Sequence, residues 1–402
     1  MWFTECARMS QPVPVTPAPR RRFARRALLF CAIAAFVTGC NTVSYYQQAV
    51  VGQYEILAKR EPIDDVLART NTTAALREKL RLVLDVRKFA ERELKLKTDG
   101  HYAKYADLGR RYVVWNVYAA PEFSLEPKRW WYPVVGKLKY RGFFSEKDAR
   151  ECAEKLAWEG YDVHVGGVDA YSTLGFFKDP VLNTFIHNTA PDLAEILFHE
   201  LAHQRVFAKG DTDFNEAFAT AVGEEGVRRW LAVHGDAKSR ADYELELQRK
   251  EQFVALVMNA REELKKVYGE EAAHAPRLVE KPGSEALVAE KRARKAEVIA
   301  KLRADYEKLK ASWGGYAAYD NWFKRPINNA RLNTIATYET LVPAFKQLLA
   351  QDGGDLQKFY TDAKAMAKLA KEPRREQMAA LTLASQKMIA EGKAAAAGKP
   401  SL

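Results

Sequence analysis

Phe198-His199-Glu200-Leu201-Ala202-His203-Gln204, followed by Phe214-Asn215-Glu216-Ala217-Phe218-Ala219-Thr220, decides how the rest of this chain is read. The first segment is an H-E-x-x-H pattern. On an α-helix, residues four apart share a face, so His199 and His203 project one turn apart and both imidazoles reach a single ion. Glu200 lies about 100° around the axis, near enough to hold a water beside that ion without ligating it. Zinc is the ordinary occupant of such a pair, and a catalytic zinc takes three protein ligands and a water. A third ligand is therefore needed nearby. Glu216 is the best candidate, 13 residues past His203 and beyond a turn at Lys209-Gly210-Asp211. It lies early in a second helical segment that Asn215 or Asp213 is placed to cap. Glu224 and Glu225, two turns further on, compete for the role. The motif helix is apolar at Leu193, Ile196, Leu197, Leu201 and Ala202, and so reads as buried. Buried imidazoles need partners, which favours a metal site over two core histidines beside an ion-paired Glu200.

His199-Glu200-x-x-His203 with Asn215-Glu216-x-x-Ala219 resembles the gluzincin metallopeptidases, the thermolysin-like group whose third ligand is the Glu of an N-E-x-x-x-D helix. The likeness is closer to a bacterial family described as putative aminopeptidases. These zinc-peptidase-like lipoproteins carry H-E-L-A-H-Q, N-E-x-F-A-T and an upstream A-Y-S-T-L-G segment, here Ala170-Tyr171-Ser172-Thr173-Leu174-Gly175. The resemblance runs over most of the chain after Cys40. It implies an α+β fold, predominantly helical, with a zincin-like catalytic core and a small sheet. It also implies a peptide substrate and one Zn2+ per chain on His199, His203 and Glu216, with Glu200 as general base. In the resembled fold an edge strand beside the zinc helix pairs with the substrate backbone, and that role falls on Ala170, Tyr171, Ser172, Thr173 and Leu174; an ordinary core strand is the alternative. Two departures matter. Thr220 stands where the thermolysin pattern has Asp, so a supporting carboxylate is missing there. The G-x-M-E-N strand that holds a substrate amine is also missing, which leaves Asp169, Asp179 and Glu224 as alternatives for that task. The metzincin pattern fails at Val206 and Lys209.

Residues 1–39 read as a lipoprotein signal peptide. Arg20-Arg21-Arg22 and Arg25-Arg26 form a basic region, and Ala27 to Val37 an apolar run too short to span a bilayer as an ordinary helix. Val37-Thr38-Gly39-Cys40 resembles a lipobox, which implies an acylated Cys40 as the mature N-terminus, anchored in the lipid bilayer of a bacterial cell envelope and facing the periplasm. Asn41, rather than Asp, favours the outer membrane by resemblance to lipoprotein sorting rules. Cysteine usage agrees, because Cys6 and Cys31 leave with the signal and Cys152 has no partner for a disulfide. The formal charge of +11 includes six arginines and Glu5 within residues 1–39, leaving about +6 for the mature chain. No basic motif with interleaved aromatics is present, which argues against nucleic acid.

With 402 residues, 48% hydrophobic and 29% charged, the chain holds ample core for several parts. An N-terminal helical segment is expected over 40–110, with helices from Thr42 to Leu57 and from Thr72 or Thr73 to Leu94. The catalytic core follows over 111–235. Tyr112–Tyr118 and Tyr161–Val168 read as strands, Trp130–Val135 as a strand or loop edge whose Trp pair packs in the core, and Ser145 as a helix cap. Residues 236–312 read as a charged helical hairpin projecting from the body, a scaffold, a gate or a dock for a protein partner. Residues 313–402 complete the cleft, with Asn328-Asn329 as a helix cap and Tyr338 as the candidate oxyanion donor ahead of Tyr316 and His234. The expected function is a membrane-anchored zinc peptidase. The rival reading is a non-catalytic envelope lipoprotein with a zinc site, binding a partner through its hairpin. A structural zinc is closed by four ligands, and no fourth His or Cys lies near the motif.

Overall fold

A computed structural model describes residues 40–132, 135–170, 172–173, 175–269 and 285–397, excluding the side chains at 40–42, 389 and 392–397. The signal segment 1–39 lies outside the described residues, as do Tyr171, Leu174 and the Cys40 side chain. The fold is α+β and 64% helical, with small sheets. Gly52–Leu402 forms one unit, and the chain up to Val51 falls in another.

Helix α1 (Cys40–Ala58) is followed by strand β1 (Glu61–Pro62), helix α2 (Ile63–Ala68) and helix α3 (Ala74–Arg92). Thr73 caps α3, its hydroxyl accepting the Leu76 amide at 3.3 Å. Leu80, Val83, Val86 and Phe89 recur at helical spacing and form its buried face. Strand β2 (Lys104–Ala106) pairs antiparallel with β1.

Strand β3 (Val114–Pro121) comes from the β-branched and aromatic run, and every side chain before Pro121 is buried. The hairpin of β4 (Trp130–Tyr132) and β5 (Gly136–Leu138) sets Trp131 opposite Lys137. Trp131 is 64% exposed, against the expectation of core packing, because a two-stranded ribbon has a face that nothing covers. Strand β6 (Tyr140–Phe143), helix α4 (Glu146–Trp158) and strand β7 (Tyr161–Val168) follow, with Ser145 capping α4 through the Asp148 amide at 3.3 Å. The sheet order is β6-β3-β7, all antiparallel, with Tyr118 opposite Tyr140 on one side and His164 on the other.

β7 stops at Val168, so the edge strand expected over Ala170–Leu174 does not form at its described residues Ala170, Ser172 and Thr173. Turn chemistry wins there. Thr173 Oγ1 donates to Asp179 Oδ1 at 2.7 Å and accepts the Phe177 amide at 3.1 Å, while Gly175 takes φ +84°. Strand β8 (Val181–Leu182) then pairs parallel with β2.

The remaining elements are helical. They are α5 (Ala190–Ala202), α6 (Thr212–His234), α7 (Ala237–Tyr268), α8 (Glu285–Ser312) and α9 (Asp320–Lys324). α10 (Asn329–Glu339), α11 (Val342–Gln351), α12 (Leu356–Lys368) and α13 (Lys371–Ala397) complete the chain. The larger core joins α3, α5, α6, α11 and α12, with Phe214, Phe218, Phe345 and Phe359 in mutual ring contact behind α6. A second core joins α7, α8, α9 and α10 through Phe253, Val257, Leu264, Leu302, Tyr306 and Phe323.

The pair α7–α8 does not stand clear of the body as the charge pattern implied. Lys295 of α8 reaches Asp162 of β7 at 2.6 Å, and Tyr268 of α7 donates to Asn329 of α10 at 2.9 Å. A nearly buried ammonium needs such a partner, so the charges that read as a solvated face include the groups that fasten the helices down. Among the described residues, no helix is long and apolar enough to cross a membrane.

Candidate metal centre

The site is assembled where α5 and α6 cross. α5 begins at Thr189, whose hydroxyl accepts the Asp192 amide at 3.3 Å, with proline in its first turn. Its buried face carries Leu193, Leu197, Phe198 and Leu201, which directs His199 and His203 toward α6. The connecting turn uses Gly210 at φ +75°, a conformation that costs glycine nothing. Asp211, rather than Asn215 or Asp213, caps α6, accepting the Phe214 amide at 3.3 Å and gripped by the buried Arg374 at 2.9 Å. The two expected caps have other tasks. Asn215 bonds both the amide and the carbonyl of Ala208 at 2.7 and 2.9 Å, and Asp213 pairs with Lys139.

Close approach of the helices depends on Gly223 and Gly226, the latter's Cβ position lying 2.5 Å from Phe198 Cδ2. A Cβ at Gly223 would lie 3.2 Å from Glu195 Cγ, 3.3 Å from the Glu195 carbonyl oxygen and 3.6 Å from His199 Cβ. With that gap closed, Glu216 Oε2 stands 3.4 Å from His199 Nε2 and 3.5 Å from His203 Nε2. One ligand atom from each of the three residues lies within 4.8 Å of the other two. Metal–ligand bonds of about 2.0–2.1 Å in a tetrahedron set ligand atoms about 3.3–3.4 Å apart. The separations from the carboxylate to each imidazole match that edge. They are longer than an ordinary hydrogen bond, and both are to the same carboxylate oxygen. The donor set of two imidazoles and a carboxylate is one that zinc accepts. Glu224 and Glu225 are engaged elsewhere, Glu224 with Lys250 and Lys346 at 2.8 Å each and Glu225 with Arg229 at 2.7 Å.

The electrostatics of the metal-free chain follow from burial and these short distances. Burial alone would raise the Glu216 carboxyl, but the His203 and His199 imidazoles outweigh it and hold it down at about 2. Burial depresses His199; for His203 burial pulls the same way, and the charges of Glu216 and Glu200 overcome it and raise the imidazole. Glu200, buried and flanked by His203, Glu216 and Asp179, is pushed up to about 7, mainly by desolvation.

Among the described tyrosines, Tyr338 of α10 is the one whose phenol is raised by burial together with the charges of Glu216 and Glu200. Tyr316 lies under Arg249 at 4.1 Å, and His234 stacks on Trp230 at 5.5 Å, so neither joins the site. The stretch after β7 flanks the motif. A Cβ at Gly175 would sit 3.8 Å from Gln204 Oε1, and Asp179, which holds Thr173, is close enough to raise Glu200.

Two further tyrosines were not singled out by the sequence. Tyr118 of β3 lies beside Tyr338 and Asn116, with its phenol pushed up to about 12 by burial. Its register opposite Tyr140 and His164 is the signal that brings it in, and that pairing is legible only once the sheet is formed. Tyr102 is 2% exposed in a left-handed conformation at φ 57°, and its hydroxyl has no hydrogen-bond partner among the described residues. Burial, then the charges of Glu200 and Asp179, raise its phenol. His164 of β7 is depressed to about 4 by burial and stacks on Tyr118 at 6.1 Å.

Compared with known proteins, residues 44–378 match the model of the family described as "Putative aminopeptidase". No curated protein and no solved structure matches the chain.

Proposed function

Because this chain belongs to the "Putative aminopeptidase" family, we propose that it is a zinc-dependent peptidase with a gluzincin-like core, lipid-anchored through Cys40 on the periplasmic side of the outer membrane. The observation that carries the reading is the convergence of His199, His203 and Glu216 at ligand-edge separations of 3.4 and 3.5 Å. These three residues would hold the ion. Zinc there would supply Lewis acidity, polarising the scissile carbonyl and acidifying a water.

The chain's own groups perform the proton work. Glu200 projects from the same helix as His199, and its buried carboxylate is the group to take a proton from water and return it to the leaving amine. Tyr338, close to Glu216 and Glu200, is the donor for the developing oxyanion. Ala170 and Ser172–Thr173, set beside the motif by Asp179 and Gly175, supply the wall along which a peptide backbone lies. Asp179 is committed to Thr173, and Glu224 to two lysines, so neither is a free anchor for a substrate amine. N-terminal trimming therefore rests on the family, and peptide hydrolysis on the residues.

The test is Glu200→Gln in the chain lacking Cys40 and its leader. Metal analysis should find one zinc per chain in both proteins. Turnover of a peptide library should fall by about 10²–10⁴-fold in the variant and vanish with chelator in the parent. Undiminished turnover by the variant refutes the general-base assignment.

A further inference from the structure

α1 begins at the residue proposed to carry lipid, and from Cys40 to Tyr54 it contains no Asp, Glu, Lys or Arg. Five of its large apolar side chains face outward: Val43 at 51% exposure, Tyr46 at 42%, Val50 at 68%, Val51 at 60% and Tyr54 at 70%. At 100° per residue they cluster on one side of the helix, opposite Gly52 and Ile56. Gly52 and Ile56 are the positions that bind α1 to the body. A Cβ at Gly52 would overlap the Phe144 ring at 2.1 Å, and Ile56 is 1% exposed within the larger core. An exposed helix face of this length without a single charge is unlike a solvated surface, where charged groups dominate.

We infer that this face of α1 lies in the headgroup interface of the bilayer, parallel to its plane, so that the helix adds a second hold beside the lipid anchor. The inference rests on the lipid-anchored reading of Cys40. Three features select a lipid surface over a protein partner. The stripe is continuous with the acylation point. From Cys40 to Tyr54 the helix rises about 21 Å, and it is not apolar enough to cross a bilayer. Valines alternate with tyrosines, whose rings enter the acyl boundary while their hydroxyls stay among headgroups.

The experiment uses the processed, full-length protein reconstituted into phosphatidylethanolamine–phosphatidylglycerol vesicles that contain a spin-labelled lipid. In a Cys152→Ser background, Val50→Cys, Tyr54→Cys and, as a remote control, Lys308→Cys each carry an environment-sensitive fluorophore. Lipid quenching at positions 50 and 54 should exceed that at 308 by at least threefold and stay constant as protein density is varied. Equal quenching at the three positions overturns the inference. So does shielding at 50 and 54 that scales with protein density, because the occupant is then a second copy of the chain. The mass of the mature N-terminus is read separately. An unmodified Cys40 refutes the anchor, whereas an acylated Cys40 with unquenched labels refutes only the placement of α1.

Discussion

Substitution of Gly223 probes the feature that brings the two halves of the centre together. A Cβ there meets Glu195 Cγ at 3.2 Å and the Glu195 carbonyl oxygen at 3.3 Å, whereas comfortable carbon contacts lie at about 3.5–4.0 Å. For alanine, α5 and α6 must part by roughly 0.3 Å, and for valine by more. Glu216 is on the same rigid helix, about 10 Å along the axis, so it moves with that displacement. Ligand distances in a metal site tolerate about 0.2 Å, so the carboxylate is carried out of register with the imidazoles. Stability responds differently. Replacing glycine within a helix by alanine favours the fold by about 1 kcal/mol, while overpacking costs about 1–3 kcal/mol. Gly223→Ala should therefore melt within a few degrees of the parent yet bind zinc about tenfold more weakly. Gly223→Val, β-branched and larger, should lose roughly 100-fold in affinity and melt lower. The assay is competition for zinc against a chromophoric chelator, with thermal melts of the metal-free proteins in parallel. A folded Gly223→Val that binds zinc as tightly as the parent refutes the argument that helix separation sets the ligand geometry.

Tyr338→Phe should lower kcat by about 10²-fold with little change in KM, because the donor acts on charge that develops only in the transition state; an unchanged kcat removes Tyr338 from that role. Glu195 is raised by burial from 4.5 to about 7, so its contribution to stability is complete below pH 4.5 and lost as pH rises through 7. The parent should then lose on the order of 3 kcal/mol between pH 5 and pH 8 from this group, and Glu195→Gln should lack that part of the slope in urea titrations; identical slopes would count against it. Tyr102→Phe removes a buried hydroxyl that has no partner, so the metal-free protein should gain about 1 kcal/mol by chemical denaturation. A loss of similar size would mean that the hydroxyl is satisfied in solution.

What the amino-acid sequence determined by itself was local. Two imidazoles four residues apart and Glu200 between them follow from the helical repeat, and the caps at Ser145 and in the Asn328-Asn329 pair follow from side chains that reach an amide three residues on. The strands β3 and β7 follow from β-branched and aromatic runs. The tertiary structure decided everything that depends on distance across elements. It set Glu216 rather than Glu224 beside the imidazoles, where Gly223 and Gly226 let α6 pack closely on α5 and two lysines hold Glu224 away. Tyr338 rather than Tyr316 came to the site, because α10 packs on the sheet that presents Tyr118. It turned Thr173 toward Asp179 instead of into a strand, and it left Trp131 in solvent. A periodicity records which face of an element is apolar. It carries no record of how closely two faces meet or which residue waits on the other side, and the chemistry of this centre is settled by those separations.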